Sequence, residues 1–274
     1  MIDEQQQNTT THSKYLTWQA LTSWNDEFYL GKVFVGTPGQ PFFLSMDTSS
    51  STMWIIDGAC DSPICNGYPD SGRKKYKFHY DNSTTFLHTN SNFALNDGTK
   101  WTGGFIGRDT VAFGSSIDEL VLGRWIRPQP TMLELLDCVN DIPKTSWELT
   151  VWHGQPFGVA NSLAPFFGTV PIDGVFGLGW NEFDNMRAPI SVLARYLDSK
   201  QFTVWMNRSA TDRQGQIGGY ITYGGYDDIH CDRNMFYAPL AMDNKWAVEI
   251  ESFEIGSYTY ASEGAKVANA VTNF

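Results

Sequence analysis

Phe42-Phe43-Leu44-Ser45-Met46-Asp47-Thr48-Ser49-Ser50-Ser51-Thr52-Met53-Trp54-Ile55-Ile56 passes from an apolar segment, through one acid and a run of small hydroxyl residues, into a second apolar segment. The pattern predicts strand, tight turn, strand. An Asp at the end of a buried strand is costly unless its oxygens accept hydrogen bonds. The residues after Asp47 offer hydroxyls and backbone N–H groups that can supply them. Two readings stand at this point: a merely polar turn, or a carboxylate held in place for chemistry.

Working outward, Phe28–Val35 reads as a strand, Thr37-Pro38-Gly39-Gln40 as a turn and residues 41–46 as the returning strand, a hairpin signal. Met53–Ile56 and residues 105–113, 220–223, 236–240 and 246–255 continue the β series. In the last, Trp246, Val248 and Ile250 alternate with Ala247, Glu249 and Glu251, which predicts a half-buried strand. Helix is scarce. Ile190, Leu193, Ala194 and Leu197 have helical spacing behind Pro189, predicting a helix over 189–197. Thr131 and Glu134 have capping-box spacing ahead of a second, 132–139. Residues 1–24 are polar and are expected to form a loose N-terminal extension. The fold class expected is mainly β.

The chain has 274 residues, enough for two domains, with 42% hydrophobic and 15% aromatic residues. Asp and Glu number 30 against 19 Lys and Arg, for a net charge of -11. So acidic a chain is a poor partner for nucleic acid or an anionic membrane surface. No apolar stretch is long enough for a transmembrane helix, and the polar start, Met1-Ile2-Asp3-Glu4, does not read as a signal peptide.

The 4 cysteines are too few for a disulfide scaffold. Cys60 and Cys65 flank Asp61-Ser62-Pro63-Ile64, which reads as a small disulfide loop; Cys138 and Cys231 stand alone. Asn8-Thr9-Thr10, Asn82-Ser83-Thr84 and Asn207-Arg208-Ser209 are sequons, pointing to a secretory history. There is no Gly-x-Ser-x-Gly, no phosphate-binding loop and no zinc-type His spacing. Gly174-Val175-Phe176-Gly177-Leu178-Gly179 has the wrong order for a dinucleotide fingerprint. His230-Cys231 reads as structural, and Trp54, Trp180, Trp205 and Trp246 as core residues.

Asp47-Thr48-Ser49-Ser50-Ser51-Thr52-Met53-Trp54 resembles the first active-site loop of pepsin-like aspartic proteases, usually Asp-Thr-Gly-Ser-Ser-x-x-Trp. Other segments match in the family's order: Glu27-Phe28-Tyr29-Leu30-Gly31 with Val35-Gly36-Thr37-Pro38-Gly39-Gln40; Cys60 and Cys65; and Val170-Pro171-Ile172-Asp173-Gly174-Val175-Phe176-Gly177-Leu178-Gly179-Trp180. Phe202-Thr203-Val204-Trp205-Met206 and Ile221-Thr222-Tyr223-Gly224-Gly225 follow. The resemblance covers residues 25–116 and 149–258, and nematode digestive-type members look most alike.

The resemblance implies a bilobal fold, with an N-terminal lobe over 25–198 that is nearly complete and a truncated C-terminal lobe over 199–274. It implies a peptide or protein substrate in the inter-lobe cleft, no cofactor or metal, a monomer, and a secreted or lysosomal location. In such enzymes each lobe supplies one Asp. One carboxylate is ionised and activates a water as base, while the other is protonated and polarises the scissile carbonyl; so close a pair cannot both ionise. Asp47 takes the first catalytic position, with Thr48, Ser49, Ser50 and Trp54 supporting its loop.

The departures are as informative. No second Asp-Thr-Gly follows the 246–255 strand; Ala270 or a neighbour takes that position. Asp70-Ser71-Gly72, followed by Arg73-Lys74-Lys75, has no apolar strand before it and reads as a solvated turn. Ser49 replaces a Gly that lets substrate approach closely. At the tip of the expected flap, Asp97-Gly98 stands where the family has Tyr-Gly. Residues 117–148 read as an insertion. The expectation is an aspartic endopeptidase by descent, diverged or incomplete, with one catalytic Asp and weak or no activity. The alternatives are a non-catalytic peptide-binding member, and a lobe that dimerises to pair two Asp47 side chains.

Overall fold

The computed structural model describes residues 17–113, 150–181, 186–208, 214–232, 234–250 and 252–261. Its strands are β1 (Thr17–Trp24), β2 (Phe28–Val35), β3 (Gln40–Asp47), β4 (Met53–Ile56), β5 (Leu87–Asp97), β6 (Lys100–Phe113), β7 (Thr150–Leu163), β8 (Gly174–Gly177), β9 (Phe202–Met206), β10 (Gln216–Tyr223), β11 (Ser252–Ile255) and β12 (Tyr258–Ala261). The helices are single turns: α1 (Pro63–Asn66), α2 (Phe166–Thr169) and α3 (Pro189–Leu193).

Strands β1 to β10 form one sheet in the order β5-β6-β7-β4-β8-β3-β2-β1-β10-β9. The far end of β6 also pairs with β2, Phe34 opposite Ala112 and Val35 opposite Val111, so β2, β3, β8, β4, β7 and β6 close on themselves. One side chain set fills the interior: Val33, Phe42, Leu44, Met53, Ile55 and Phe176 are all fully buried there. The alternate residues of the same strands, among them Leu30, Trp54 and Ile56, pack in a second cluster on the outer face. Strand β4 is therefore buried on both sides, which is why Met53-Trp54-Ile55-Ile56 carries no polar residue. A large apolar side chain so buried contributes roughly 1.5–3 kcal/mol.

The strands expected at Phe28–Val35, 41–46 and Met53–Ile56 are present, and those expected at 105–113 and 220–223 lie within β6 and β10. Five expectations are corrected. Residues 17–24 are not a loose extension; they form β1, antiparallel to β2 on one edge and β10 on the other. Trp18 and Leu21 are buried, as is the polar Gln19. Gln19 is satisfied from afar: its Nε2 donates to Lys32 O at 3.2 Å and its Oε1 accepts from Tyr223 OH at 2.8 Å. Complete burial pushes the Tyr223 phenol far above its ordinary value.

Residues 236–240 form no strand; Phe236 is 99% exposed. The strand expected at 246–255 shrinks to β11, and ahead of it Ala247 is buried while Trp246 lies half at the surface, the reverse of the expected alternation. Fourth, the helix expected at 189–197 ends at Leu193 and continues as turn. Last, Asp70 and Gly72 are exposed, as expected of a solvated turn, but the basic residues after them are solvated only at Lys74. Arg73 pairs with the fully buried Asp173, and Lys75 is itself buried. The expected helix 132–139, Cys138, the insertion 117–148, Asn8 and Ala270 lie outside the described residues.

Candidate active site

The site is built where β3 and β4 meet across β8. Strand β8 runs parallel to β3, Asp47 opposite Gly177, and antiparallel to β4, Met53 opposite Phe176. At Gly174 and Gly177 the backbones approach too closely for a side chain. A Cβ on Gly177 would stand 2.6 Å from backbone atoms of Ser51 and Thr52, and one on Gly174 would stand 2.0 Å from Trp54 O. The glycine spacing of 174–179 thus serves packing. The loop between β3 and β4 is tied to this strand by Leu178 N to Asp47 O at 2.8 Å, Gly177 N to Thr52 O at 2.9 Å and Gly179 N to Ser50 O at 2.8 Å.

Asp47 stands half-buried at the end of β3. Its Oδ1 accepts from Ser49 N at 2.8 Å and from Ser49 Oγ at 2.6 Å. Among the described residues no second carboxyl is hydrogen-bonded to it. Thr48 is buried beneath the loop. Ser50 Oγ lies 3.0 Å from Thr52 Oγ1 and accepts from Thr52 N at 3.2 Å, so the hydroxyl run braces itself. Trp54 is buried on the outer face, its ring edge-on to Phe167 at 5.0 Å.

Behind the loop lies an ionic cluster. Asp173 accepts from Phe43 N at 2.8 Å and Tyr76 N at 2.9 Å and pairs with Arg73. Burial pushes its carboxyl up from the ordinary range, and Arg73 and the two N–H groups pull against that shift. Arg73 also donates through Nε to Pro171 O at 2.9 Å, and Lys75 donates to Ile172 O at 2.8 Å and to Val170 O. Burial lowers the Lys75 ammonium to about 8; Asp173 opposes that shift and Arg73 adds to it. The cluster fixes the approach of 170–173 to β3, and through it the seat of β8.

Cys60 and Cys65 form a disulfide, with Cα atoms 6.0 Å apart. It encloses α1, whose first turn is capped by Ser62 Oγ accepting from Cys65 N at 3.2 Å. Asp97 and Gly98 are exposed at the tip of the β5–β6 hairpin, with Asp97 opposite Lys100 and Gly98 at φ 63°. Asp70 is exposed in a turn. His230 stacks on Trp205 at 4.1 Å and pairs with the buried Asp227 at 2.8 Å, a structural place.

One residue of the site, Thr52, was not singled out in the sequence, and another, Trp246, was read there as a core residue but stands partly exposed. Thr52 lies in the hydroxyl run but matches no family position, and only the fold shows its carbonyl receiving β8. Trp246 donates from Nε1 to Leu178 O at 3.0 Å and meets Trp180 edge-on at 4.5 Å. Its strand-like neighbourhood concealed that contact.

Asp47 is thus a carboxylate held by turn N–H and hydroxyl groups, in a loop seated on a glycine-rich strand of a mainly β fold. The model of the family described as eukaryotic aspartyl protease matches residues 28–125 and 148–271, and the chain belongs to that family. It is 33% identical over 261 residues to Aspartic protease 1 of Caenorhabditis elegans, covering 94% of this chain and 57% of that protein. Aspartic protease 17 of the same nematode is 33% identical over 243 residues, 88% of this chain and 54% of that one. Cathepsin E of Rattus norvegicus is 26% identical over 259 residues, 90% and 53%. The chain spans about half the length of the curated relatives it matches.

Proposed function

We propose that Asp47 is the water-activating carboxylate of an aspartic endopeptidase site, and that this chain, carrying one such Asp, binds peptide but hydrolyses it weakly or not at all. The observation that carries the reading is the Asp47 carboxylate presented at the end of β3 and fixed by Ser49 in a loop tied to β8. Peptide hydrolysis by this chemistry needs a second carboxyl to polarise the carbonyl, and groups that act as a unit lose nearly everything together. The division into a lobe over 25–198 and a further lobe from 199 belongs to this proposal. Asp97 at the hairpin tip replaces an aromatic lid with a solvated acid, so closure excludes water poorly.

The reading of a non-catalytic peptide binder is favoured by one contact. Ser49 Oγ donates to Asp47 Oδ1 at 2.6 Å and occupies a lone pair that a catalytic water would use. The disulfide and the three sequons support a secretory location. The test is titration of the labelled chain with an unfolded apolar peptide at about pH 3–5, where the paired-carboxylate chemistry operates. Amide shifts centred on residues 47–51 and weakened by Asp47→Ala support the site. Shifts confined to surfaces away from this loop, or none, refute it.

A further inference from the structure

We propose that Asn82 carries an N-linked oligosaccharide. Asn82 ends the single 3-10 turn Tyr80–Asn82 and is exposed. Its side chain makes no hydrogen bond among the described residues, whereas the residues that follow are pinned. Ser83 Oγ accepts from Thr37 N at 3.0 Å, Thr84 N donates to Thr37 O at 2.9 Å, and Thr84 Oγ1 donates to the same carbonyl at 3.1 Å. The tripeptide Asn82-Ser83-Thr84 therefore presents its amide outward from a firmly anchored turn, and a sugar there displaces no packing. A second, independent observation is the Cys60–Cys65 disulfide, which belongs to the oxidising compartments where such sugars are attached.

The position is compatible with the site. Gln40, at the start of β3, exchanges hydrogen bonds with His79: its Nε2 donates to His79 O at 2.9 Å and its Oε1 accepts from His79 N at 2.9 Å. Asn82 N in turn donates to His79 O at 3.0 Å. The 3-10 turn is thus fastened at the end of β3 opposite Asp47, about 23 Å away at a rise of ~3.3 Å per residue. A glycan at Asn82 leaves the Asp47 loop open. Asn207 is also exposed, but Ser209 of its sequon lies outside the described residues.

The co-reactant is a lipid-linked oligosaccharyl diphosphate in the secretory pathway. The Asn82 amide nitrogen forms a bond to C1 of the first N-acetylglucosamine and gives up one proton. The C1–O bond to the diphosphate breaks, and the lipid diphosphate leaves with the electron pair. This rests on the secretory reading above, so the chain is expressed in eukaryotic cells behind a cleavable leader, and all leader-cleaved protein is collected. Peptide mapping after amidase removal of the sugar is expected to find Asp in place of Asn82 in most molecules. One gel step is expected to disappear in Asn82→Gln and in Thr84→Ala and to persist in Thr84→Ser. An unmodified Asn82 in leader-cleaved, disulfide-bonded protein overturns the proposal and leaves the reading of Asp47 untouched.

Discussion

The crossing of β3, β4 and β8 and the stretch from residue 234 to 261 are built in opposite ways. At the crossing, three strands lie so close that two glycines have no room for a Cβ, and every turn of the loop is tied by backbone bonds to a partner more than 120 residues away. In the later stretch, Phe236, Tyr237, Ile255 and Tyr258 are exposed, and β11 and β12 pair only with each other. The first region places one carboxylate rigidly. The second is joined to the first through Trp246, at Leu178 O and the Trp180 ring, and through Asp243 O, which accepts from Trp180 Nε1. The Asp47 loop is thus organised by contacts within the first region.

The sharpest way to break this contrast is at the ionic cluster under the crossing. Asp173→Asn leaves the largely buried Arg73 guanidinium without its carboxylate, and denaturant unfolding is expected to register a loss of about 3–5 kcal/mol. A loss under about 1 kcal/mol would mean the cluster does not hold β8. Gly177→Ala comes next: a Cβ 2.6 Å from backbone atoms of Ser51 and Thr52 forces the strands apart, at a cost of about 3 kcal/mol.

The third test uses pH. Lys75 gives up its proton near about 8 in the folded chain, against an ordinary value of 10.5. Between those values the unfolded chain binds more protons, so this group makes stability rise with pH, by on the order of 2–3 kcal/mol across the window. Stability curves of the wild type and Lys75→Met should diverge there, with the slope lost in the variant. Smallest of all, Phe236→Ser in the exposed stretch should change stability by no more than about 0.5 kcal/mol.

Much of the crossing was legible because its demands are local. Apolar residues on both faces of β4 leave a continuous run, and a held Asp needs hydroxyls beside it; the packing role of Gly174 and Gly177 shows only in the structure. What escaped reading depends on distant partners. The polar residues of β1 look like a solvated tail until Gln19 finds Tyr223, two hundred positions on, and Lys32 O. Lys75 looks solvated until the 170–172 carbonyls cover it. Trp246 through Glu251 have strand-like alternation, but Trp246 is drawn to Leu178 O instead, and only the short β11 forms. The Cys60–Cys65 loop was legible, since five positions are few enough to close on themselves.

The most direct test of the central claim is turnover of an unfolded protein at about pH 3–5, comparing this chain with Asp47→Asn by mass spectrometry of the products. The account predicts cleavage by the wild-type chain at or near background, and no difference between the two. Robust cleavage that disappears in Asp47→Asn would contradict it, because a second carboxyl, from a second copy or from elsewhere in the chain, would then have to stand beside Asp47.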